Sequence, residues 1–171
     1  MQILTINTRA FPDMQRKRVA AYARVSADKE EAYHSLDQQI SYYNVYIGKH
    51  PDWEFAGIYG DEGISGTTEG RPGFQKMMEE ARDGKFDLLV TKSVTRLARN
   101  TLTLLKTVRE LKGLGIDVYF EKENLHSISP EGEMMLTLLA MYAEEEARSA
   151  SENKRWQIKR SFEHGKPIHV G

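Results

Sequence analysis

The chain has 171 residues, which suits one globular domain with a sizeable core. Its 24 basic and 25 acidic residues nearly cancel, which excludes a general electrostatic attraction to nucleic acid or to an anionic membrane. The absence of cysteine excludes disulfides and thiolate ligands, and the five histidines stand in no zinc-binding spacing. No segment approaches eighteen apolar residues, so we expect a soluble, cytoplasmic protein that does not enter a membrane.

Predicted strands and helices alternate along the first part of the chain. Short apolar runs predict strands at residues 18–25, 55–60, 86–90 and 116–120. Helical periodicity and cap residues predict helices at residues 35–49, 72–83 and 101–113, beginning near Ser35, Pro72 and Asn100. This order predicts an α/β domain with a largely parallel sheet that is covered by helices on both faces.

A long helix is predicted at the end of the chain, over residues 129–165. Ser129 and Pro130 form a helix start, and no further proline occurs before Pro167, which allows a helix of roughly 50 Å. Its first half is apolar nearly all round, and its second half is acidic and then basic. Two interpretations stay open. The helix either frays into a solvated tail, or it meets a partner subunit and presents a basic end to nucleic acid, with Lys154, Arg155, Lys159 and Arg160.

The first predicted strand carries a cation and a hydroxyl to one edge of the sheet. Because side chains alternate along a strand, Tyr22, Arg24 and Ser26 share one face, with Arg24 about 7 Å from Ser26. In open α/β sheets, ligands bind at the carboxyl ends of the strands. We therefore expect a functional site at this edge.

Three strand ends are predicted to bring arginines to that edge. Arg71 lies near the end of the glycine-spaced stretch 60–73 after the second strand, while Arg96 and Arg99 follow the third strand with a spacing that favours one side of a helical turn. Guanidinium groups match phosphate oxygens bidentately, so a cluster of these three with Arg24 predicts a phosphate ligand. Taken singly, each arginine is better explained as a surface residue paired with a carboxylate such as Asp61, Glu62, Glu69 or Glu123.

Ser26 taken alone is an ordinary helix-cap residue. Surrounding cations would stabilise its alkoxide and lower the pKa of its hydroxyl, which would make it a nucleophile without a histidine. The stretch 60–73 matches no nucleotide-binding fingerprint, and we expect it to be a mobile lid over the site.

Five stretches of the sequence resemble the serine recombinases, which form the resolvase and invertase family. They are YARVS at 22–26, SLDQQ at 35–39, GRPGF at 70–74, RLARNT at 96–101, and PEGEMMLTLLAMYAEEEARSASENKRW at 130–156. They occur in the family's order over nearly the whole chain from residue 18. The ending is most similar to the large serine recombinases of phages and transposons. The resemblance implies a three-layer domain with a mostly parallel sheet of four to five strands and a long C-terminal helix.

The resemblance also implies an activity and a set of site residues. Ser26 would attack a DNA phosphodiester to give a 5′-phosphoserine link, followed by strand exchange and rejoining without metal, nucleotide or other cofactor. Gln39 would belong to the active site with the phosphate-binding residues Arg24, Arg71, Arg96 and Arg99. The side facing double-stranded DNA would include Tyr22, Glu152, Lys154, Arg155, Lys159 and Arg160. Subunits would associate as dimers or tetramers through the long helix.

The same resemblance divides the chain into four parts. Residues 1–17 would be an N-terminal extension, 18–128 the catalytic core, 129–165 the long helix, and 166–171 the start of a linker to a further DNA-binding region.

One position departs from the family pattern. Resolvases usually carry an aspartate before the first arginine of the RLxR run, where this chain has Thr95. A hydroxyl is not an ionised base at neutral pH. We therefore expect the arginines to do more of the activation, with Arg96 as a candidate proton donor to the leaving oxygen. Two other functions stay open: a metal-dependent phosphoesterase that uses Asp61 and Glu62, and a non-enzymatic oligomerisation module.

Overall fold

The computed structural model describes residues 15–25, 35–62, 71–98 and 100–163. Within these residues one sheet has the strand order β2-β1-β3-β4-β5. All neighbouring strands are parallel except β4 and β5, which are antiparallel. The strands are β1 Lys17–Val25, β2 Trp53–Glu62, β3 Leu88–Thr91, β4 Asp117–Phe120 and β5 Leu125–His126. The predicted mostly parallel sheet is confirmed.

Five helices occur in the described part of the chain, and the helix starts predicted at Ser35, Pro72 and Asn100 are confirmed. Ser35 accepts a hydrogen bond from the backbone N–H of Gln38 at 3.3 Å, and Asn100 accepts two from the next helix. Pro72 opens its helix, where a missing N–H costs nothing. The helices are α1 Leu36–Gly48, α2 Pro72–Arg82, α3 Val94–Leu97, α4 Thr101–Gly113 and α5 Pro130–Glu163.

Helices cover both faces of the sheet. On one face, Tyr43 and Ile47 of α1 pack on Val19, Ala21 and Val90. On the other face, the larger core cluster joins the sheet to α2, α4 and the first turns of α5. Both faces of β1 are therefore buried, which explains its nearly continuous apolar sequence.

Of two short elements, β5 was not predicted from the sequence, and α3 was predicted only as a helical turn after the third strand. Helix α3 has four residues and β5 has two, and neither is long enough to show a period of 3.6 or 2. Helix α3 ends at Leu97, and Ala98 is extended. The helical turn predicted to carry both Arg96 and Arg99 therefore ends before residue 99, which lies outside the described residues.

The long C-terminal helix is confirmed, with 34 residues in α5. Leu136 is buried in the core, and an ion pair between Lys112 and Glu133 ties α4 to the first turn of α5. Beyond these turns most side chains of α5 are exposed. None of the helices in the described residues is both long enough and apolar enough to cross a membrane. Residues 63–70, the middle of the predicted lid, lie outside the described residues.

Candidate active site

Arg24 lies at the carboxyl end of β1, as the sequence predicts, and its side chain is bound to the turn after β3. Its Nε donates to the backbone oxygen of Arg96 at 3.3 Å, and its Nη2 donates to the backbone oxygen of Thr95 at 3.1 Å. Arg24 is only 7% exposed. The central strand and helix α3 are thereby joined by one guanidinium group.

Arg71 reaches the same turn from the start of α2. Its Nη2 donates to the backbone oxygen of Leu97 at 2.6 Å. Its guanidinium also lies over the ring of Phe74, with a distance of 4.2 Å from the guanidinium carbon to the ring centre, a contact that favours a cation. Arg24 and Arg71 therefore satisfy three successive carbonyl groups at the end of α3, which have no partner within such a short helix.

Tyr22 connects Arg71 to a buried carboxylate. The Tyr22 hydroxyl accepts hydrogen bonds from Arg71 Nε and Nη2 at 3.1 and 2.8 Å, and it donates to Asp61 Oδ2 at 2.7 Å. Burial raises the pKa of Tyr22 and outweighs the opposing effect of Arg71, so the phenol stays protonated and remains a donor to Asp61. Tyr22 is completely buried. Tyr22 therefore contacts Arg71 from within the core and is not at the surface, where the resemblance led us to expect it to face DNA.

Asp61 fixes the beginning of α2 against β2. Its two oxygens accept the backbone N–H groups of Gly73 and Phe74 at 2.7 and 2.9 Å. A side chain at Gly73 would not fit, because its Cβ would lie 2.4 Å from the backbone oxygen of Gly60. Asp61 thus places Arg71, which directly precedes α2, next to the end of β1.

The alternative role of Asp61 and Glu62 as metal ligands finds no support in this arrangement. Both oxygens of Asp61 are engaged by hydrogen bonds, and the residue is 6% exposed. Among the residues that the structure describes, no group of three or more His, Cys, Asp or Glu side chains is placed to hold a metal ion.

Gln39 and Arg96 both line a pocket on the α1 side of the sheet. The pocket has a volume of about 380 Å³. It begins at Val25, the residue before Ser26, which places it at the edge where the sequence predicts the site. Its described lining residues are Val25, Gln38, Gln39, Tyr42, Tyr43, Lys92 and Arg96.

Thr95 occupies the position at which the resemblance led us to expect an aspartate. Its hydroxyl lies 3.0 Å from the hydroxyl of Ser93, within hydrogen-bond distance. Its backbone oxygen is one of the acceptors of Arg24. Through these two contacts, Thr95 helps to fix the conformation of the α3 turn.

The remaining predicted residues lie apart from this cluster or outside the description. Ser26 and Arg99 lie outside the described residues. In the second half of α5 the predicted DNA-facing residues are all exposed, and Arg160 lies 5.1 Å from the centre of the Trp156 ring. These residues are Glu152, Lys154, Arg155, Lys159 and Arg160.

The sequence did not single out several residues that shape the site. The sequence predicts Asp61 as a metal ligand or an ion-pair partner, whereas the structure shows it accepting the first backbone N–H groups of α2. The sequence carries no signal for Lys92, Tyr42 and Glu121, because only the fold brings them together.

Comparisons with known proteins identify the family of this chain. The family model described as Resolvase, N terminal domain, matches residues 19–167. Transposon Tn21 resolvase of Escherichia coli is 31% identical over 126 residues, covering 69% of this chain and 67% of that protein. The chain spans about two thirds or less of the length of the first curated relatives it matches.

Two solved structures have the same fold. The N-terminal catalytic domain of TP901-1 integrase is 28% identical, with a TM-score of 0.65, over 77% of this chain and 98% of that one. A resolvase family site-specific recombinase from Streptococcus pneumoniae is 27% identical, with a TM-score of 0.69, over 85% of this chain and 99% of that one. The chain therefore belongs to the resolvase family, whose members are enzymes that cleave and rejoin DNA, and it has the fold of a recombinase catalytic domain.

Proposed function

We propose that this chain is the catalytic domain of a site-specific recombinase in which Ser26 attacks a phosphodiester of double-stranded DNA. The observation that carries the proposal is the joint attachment of Arg24 and Arg71 to the α3 turn. It fixes two cations at the end of the strand that leads into Ser26, while Arg96 lines the adjoining pocket. Cations preorganised around a reacting phosphate are the main requirement of such a reaction.

In the proposed reaction the Ser26 oxygen forms a bond to phosphorus, and the bond from phosphorus to the 3′ oxygen breaks. The serine loses its proton, and the 3′ oxygen gains one, for which Arg96 is the candidate donor. The products are a 5′-phosphoserine link and a free 3′-hydroxyl. Because the covalent link keeps the energy of the broken bond, a 3′-hydroxyl can reverse the step and rejoin the strands without a cofactor.

Helix α5 supports self-association as part of this function. Four apolar side chains of its first half are between 57 and 63% exposed although they recur at helical spacing, and they are Met134, Leu138, Met141 and Tyr142. Such a stripe fits a second copy of the chain, since contiguous exposed apolar side chains often mark interaction sites. The exposed basic residues further along α5 would then face DNA.

We expect the chain alone to hold DNA weakly. Its charges nearly cancel, so its non-specific affinity should fall in the range of about 10⁻⁴ to 10⁻⁶ M at physiological salt. Activity should therefore be measured at high protein concentration and low salt.

The decisive experiment traps the covalent intermediate. The chain is incubated with a cognate duplex in which sulfur replaces the 3′ bridging oxygen, and the adduct is mapped by mass spectrometry. We expect the DNA on Ser26, no adduct with Ser26→Ala, and normal adduct with Ser41→Ala, which removes an exposed serine on α1. An adduct on another side chain, or none at all, would refute the proposal.

The same assay separates the two alternatives. A metal-dependent phosphoesterase would lose turnover in the presence of a chelator and would form no protein–DNA adduct. An oligomerisation module would associate but would form no adduct at any protein concentration.

A further inference from the structure

A carboxylate that was not predicted from the sequence joins three elements by contacting three of the residues that line the pocket of Gln39 and Arg96. Glu121 directly follows β4, and its side chain is 9% exposed. Its Oε1 accepts a hydrogen bond from the Tyr42 hydroxyl at 2.7 Å, and its Oε2 accepts one from the Tyr43 hydroxyl at 3.2 Å. The ammonium of Lys92, the residue after β3, lies 3.9 Å from Oε2.

The sheet holds Glu121 rigidly. Its backbone N–H donates to the oxygen of Thr91 at 3.0 Å, and the N–H of Lys122 donates to the oxygen of Lys92 at 2.9 Å. These bonds extend the pairing of β3 and β4 past the ends of both strands. The sheet therefore fixes the position of the Glu121 carboxylate. The carboxylate in turn can hold α1 in place.

The chemistry of the cluster favours a strong attachment. Burial raises the pKa of Tyr43 and Glu121 raises it further, so this phenol stays a donor to the carboxylate. Hydrogen bonds to an ionised acceptor are roughly twice as strong as those between neutral groups. Lys92 also lies 5.4 Å from the centre of the Tyr42 ring, which adds a cation–π contact to the same cluster.

The attachment acts on the part of α1 that carries Gln39. Gln39 lies three residues before Tyr42 and four before Tyr43, so all three lie toward one side of the helix. All three line the pocket that also contains Arg96. Gln39 is about one helical turn from the two tyrosines. Holding the tyrosines in place therefore also holds Gln39 in place.

We propose that Glu121 is a positioning residue of the active site, which holds Tyr42 and Tyr43 and so keeps Gln39 in the pocket beside Arg96. The inference rests on the proposed function for its effect on DNA cleavage. The attachment of α1 to the sheet through Glu121 can be tested without DNA.

The first test measures hydrogen exchange of the whole chain. In Glu121→Ala, we expect faster exchange in α1 and unchanged exchange in α2 and α4, because only α1 loses its attachment. The matched control is Glu80→Ala, which removes another glutamate that accepts a tyrosine hydroxyl, that of Tyr59. Unchanged exchange in α1 of Glu121→Ala would overturn the proposal, whether or not the chain cleaves DNA.

The second test is a double-mutant cycle on the rate of adduct formation. We expect Glu121→Ala to slow cleavage about tenfold to a hundredfold, the range for a slight misplacement of a catalytic group. In a Gln39→Ala background the same change should cost about twofold or less, since the two residues act through one group. Glu121→Gln, which keeps an acceptor for the tyrosines, should recover most of the rate.

If Glu121→Ala slowed adduct formation by the same factor in the unmodified chain and in the Gln39→Ala background, the positioning role would be wrong. This would hold even if hydrogen exchange in α1 became faster. If Glu121→Ala is too unstable to measure, Tyr43→Phe removes one hydroxyl and keeps the ring, and the same cycle applies to it. Failure of the unmodified chain to form any adduct would refute the proposed function, while the exchange measurement would still decide whether Glu121 holds α1.

Discussion

Arg71 donates two hydrogen bonds to one oxygen atom, the hydroxyl of Tyr22, at 3.1 Å from Nε and 2.8 Å from Nη2. That acceptor is neutral, and Asp61 is bonded to the far side of the same hydroxyl. The tyrosine thus fixes the direction of the guanidinium and stands between it and the carboxylate. This arrangement orients Arg71 while leaving its charge less compensated than a direct ion pair would.

The first prediction concerns Tyr22→Phe. The variant keeps the ring, which packs against Phe74 at 5.8 Å between ring centres, but it removes the hydroxyl that Arg71 and Asp61 share. Leaving buried polar groups without a partner typically costs about 1–3 kcal/mol. We expect urea denaturation to show a loss of this size, together with slower adduct formation.

Tyr59→Phe serves as the control for Tyr22→Phe. It also removes a buried tyrosine hydroxyl bonded to a carboxylate, that of Glu80, but it lies away from the arginines. A loss of stability in both variants with slower cleavage only in Tyr22→Phe would support the role of Tyr22 behind Arg71. Equal cleavage in the two variants would contradict it.

Much of the frame of the site could be predicted from the sequence. Because side chains alternate along a strand, the sequence correctly predicts that Tyr22 packs on one face of the sheet and that Ala21 and Ala23 pack on the other. The cap at Ser35 and the proline at the start of α2 correctly located those helix starts. These features depend on local chemistry, so neighbouring residues suffice to reveal them.

The parts that could not be predicted depend on contacts between distant residues. Helix α3 is held by side chains from β1 and from the start of α2, which are 72 and 26 residues away along the chain. Glu121 meets Tyr42 over a separation of 79 residues. Neither contact leaves a periodic pattern in the sequence, so only the fold identifies the acceptors of Arg24 and the partners of Glu121.

The second prediction separates Arg96 from Arg24. Removing one preorganised donor from a transition state typically costs on the order of a hundredfold in rate or more, and we expect Arg96→Ala to slow adduct formation by at least that. We expect Arg24→Ala to lower stability as well, because the carbonyls of Thr95 and Arg96 lose the hydrogen bonds that they accept from Arg24. Thermal unfolding and single-turnover cleavage of both variants check this. Equal, small effects on cleavage would count against a catalytic cluster.

The third prediction concerns Thr95, which replaces the usual family aspartate. If the arginines carry the activation, Thr95→Asp should leave the cleavage rate within about tenfold, since a general base typically contributes 10²–10⁴-fold. Thr95→Val provides the comparison that removes the contact with the Ser93 hydroxyl. A hundredfold gain in the cleavage rate of Thr95→Asp would contradict this prediction. It would mean that the unmodified chain lacks a general base and that the arginines do not take over its role.

The fourth prediction tests self-association through α5. Met141 is 63% exposed, and Met141→Lys would place a charge in the proposed apolar contact, where burial of an unpaired ammonium is unfavourable. We expect sedimentation or light scattering to show a weaker association. Leu102→Lys alters an exposed apolar residue on α4 and should leave association unchanged. The same association constant in both variants would place the contact elsewhere.

The fifth prediction concerns stability in acid and the pair Arg18 and Asp87, at the end of the sheet opposite the candidate site. Asp87 accepts hydrogen bonds from Arg18 Nε at 3.0 Å and Nη2 at 2.7 Å, and these bonds lower the pKa of Asp87. A carboxyl whose pKa is lower in the folded state stabilises the protein above its unfolded pKa of about 3.9. That contribution is lost as the pH falls through the folded pKa.

The free energy of unfolding, measured between pH 7 and pH 2, should therefore decrease less steeply below pH 4 in Asp87→Asn than in the unmodified chain. Because both side chains are about two fifths exposed, the difference at pH 7 should stay within about 1 kcal/mol. Asp83→Asn, which removes a carboxylate at the end of α2, is the control for the loss of one negative charge. An identical slope in Asp87→Asn would mean that the pair with Arg18 adds nothing to acid stability.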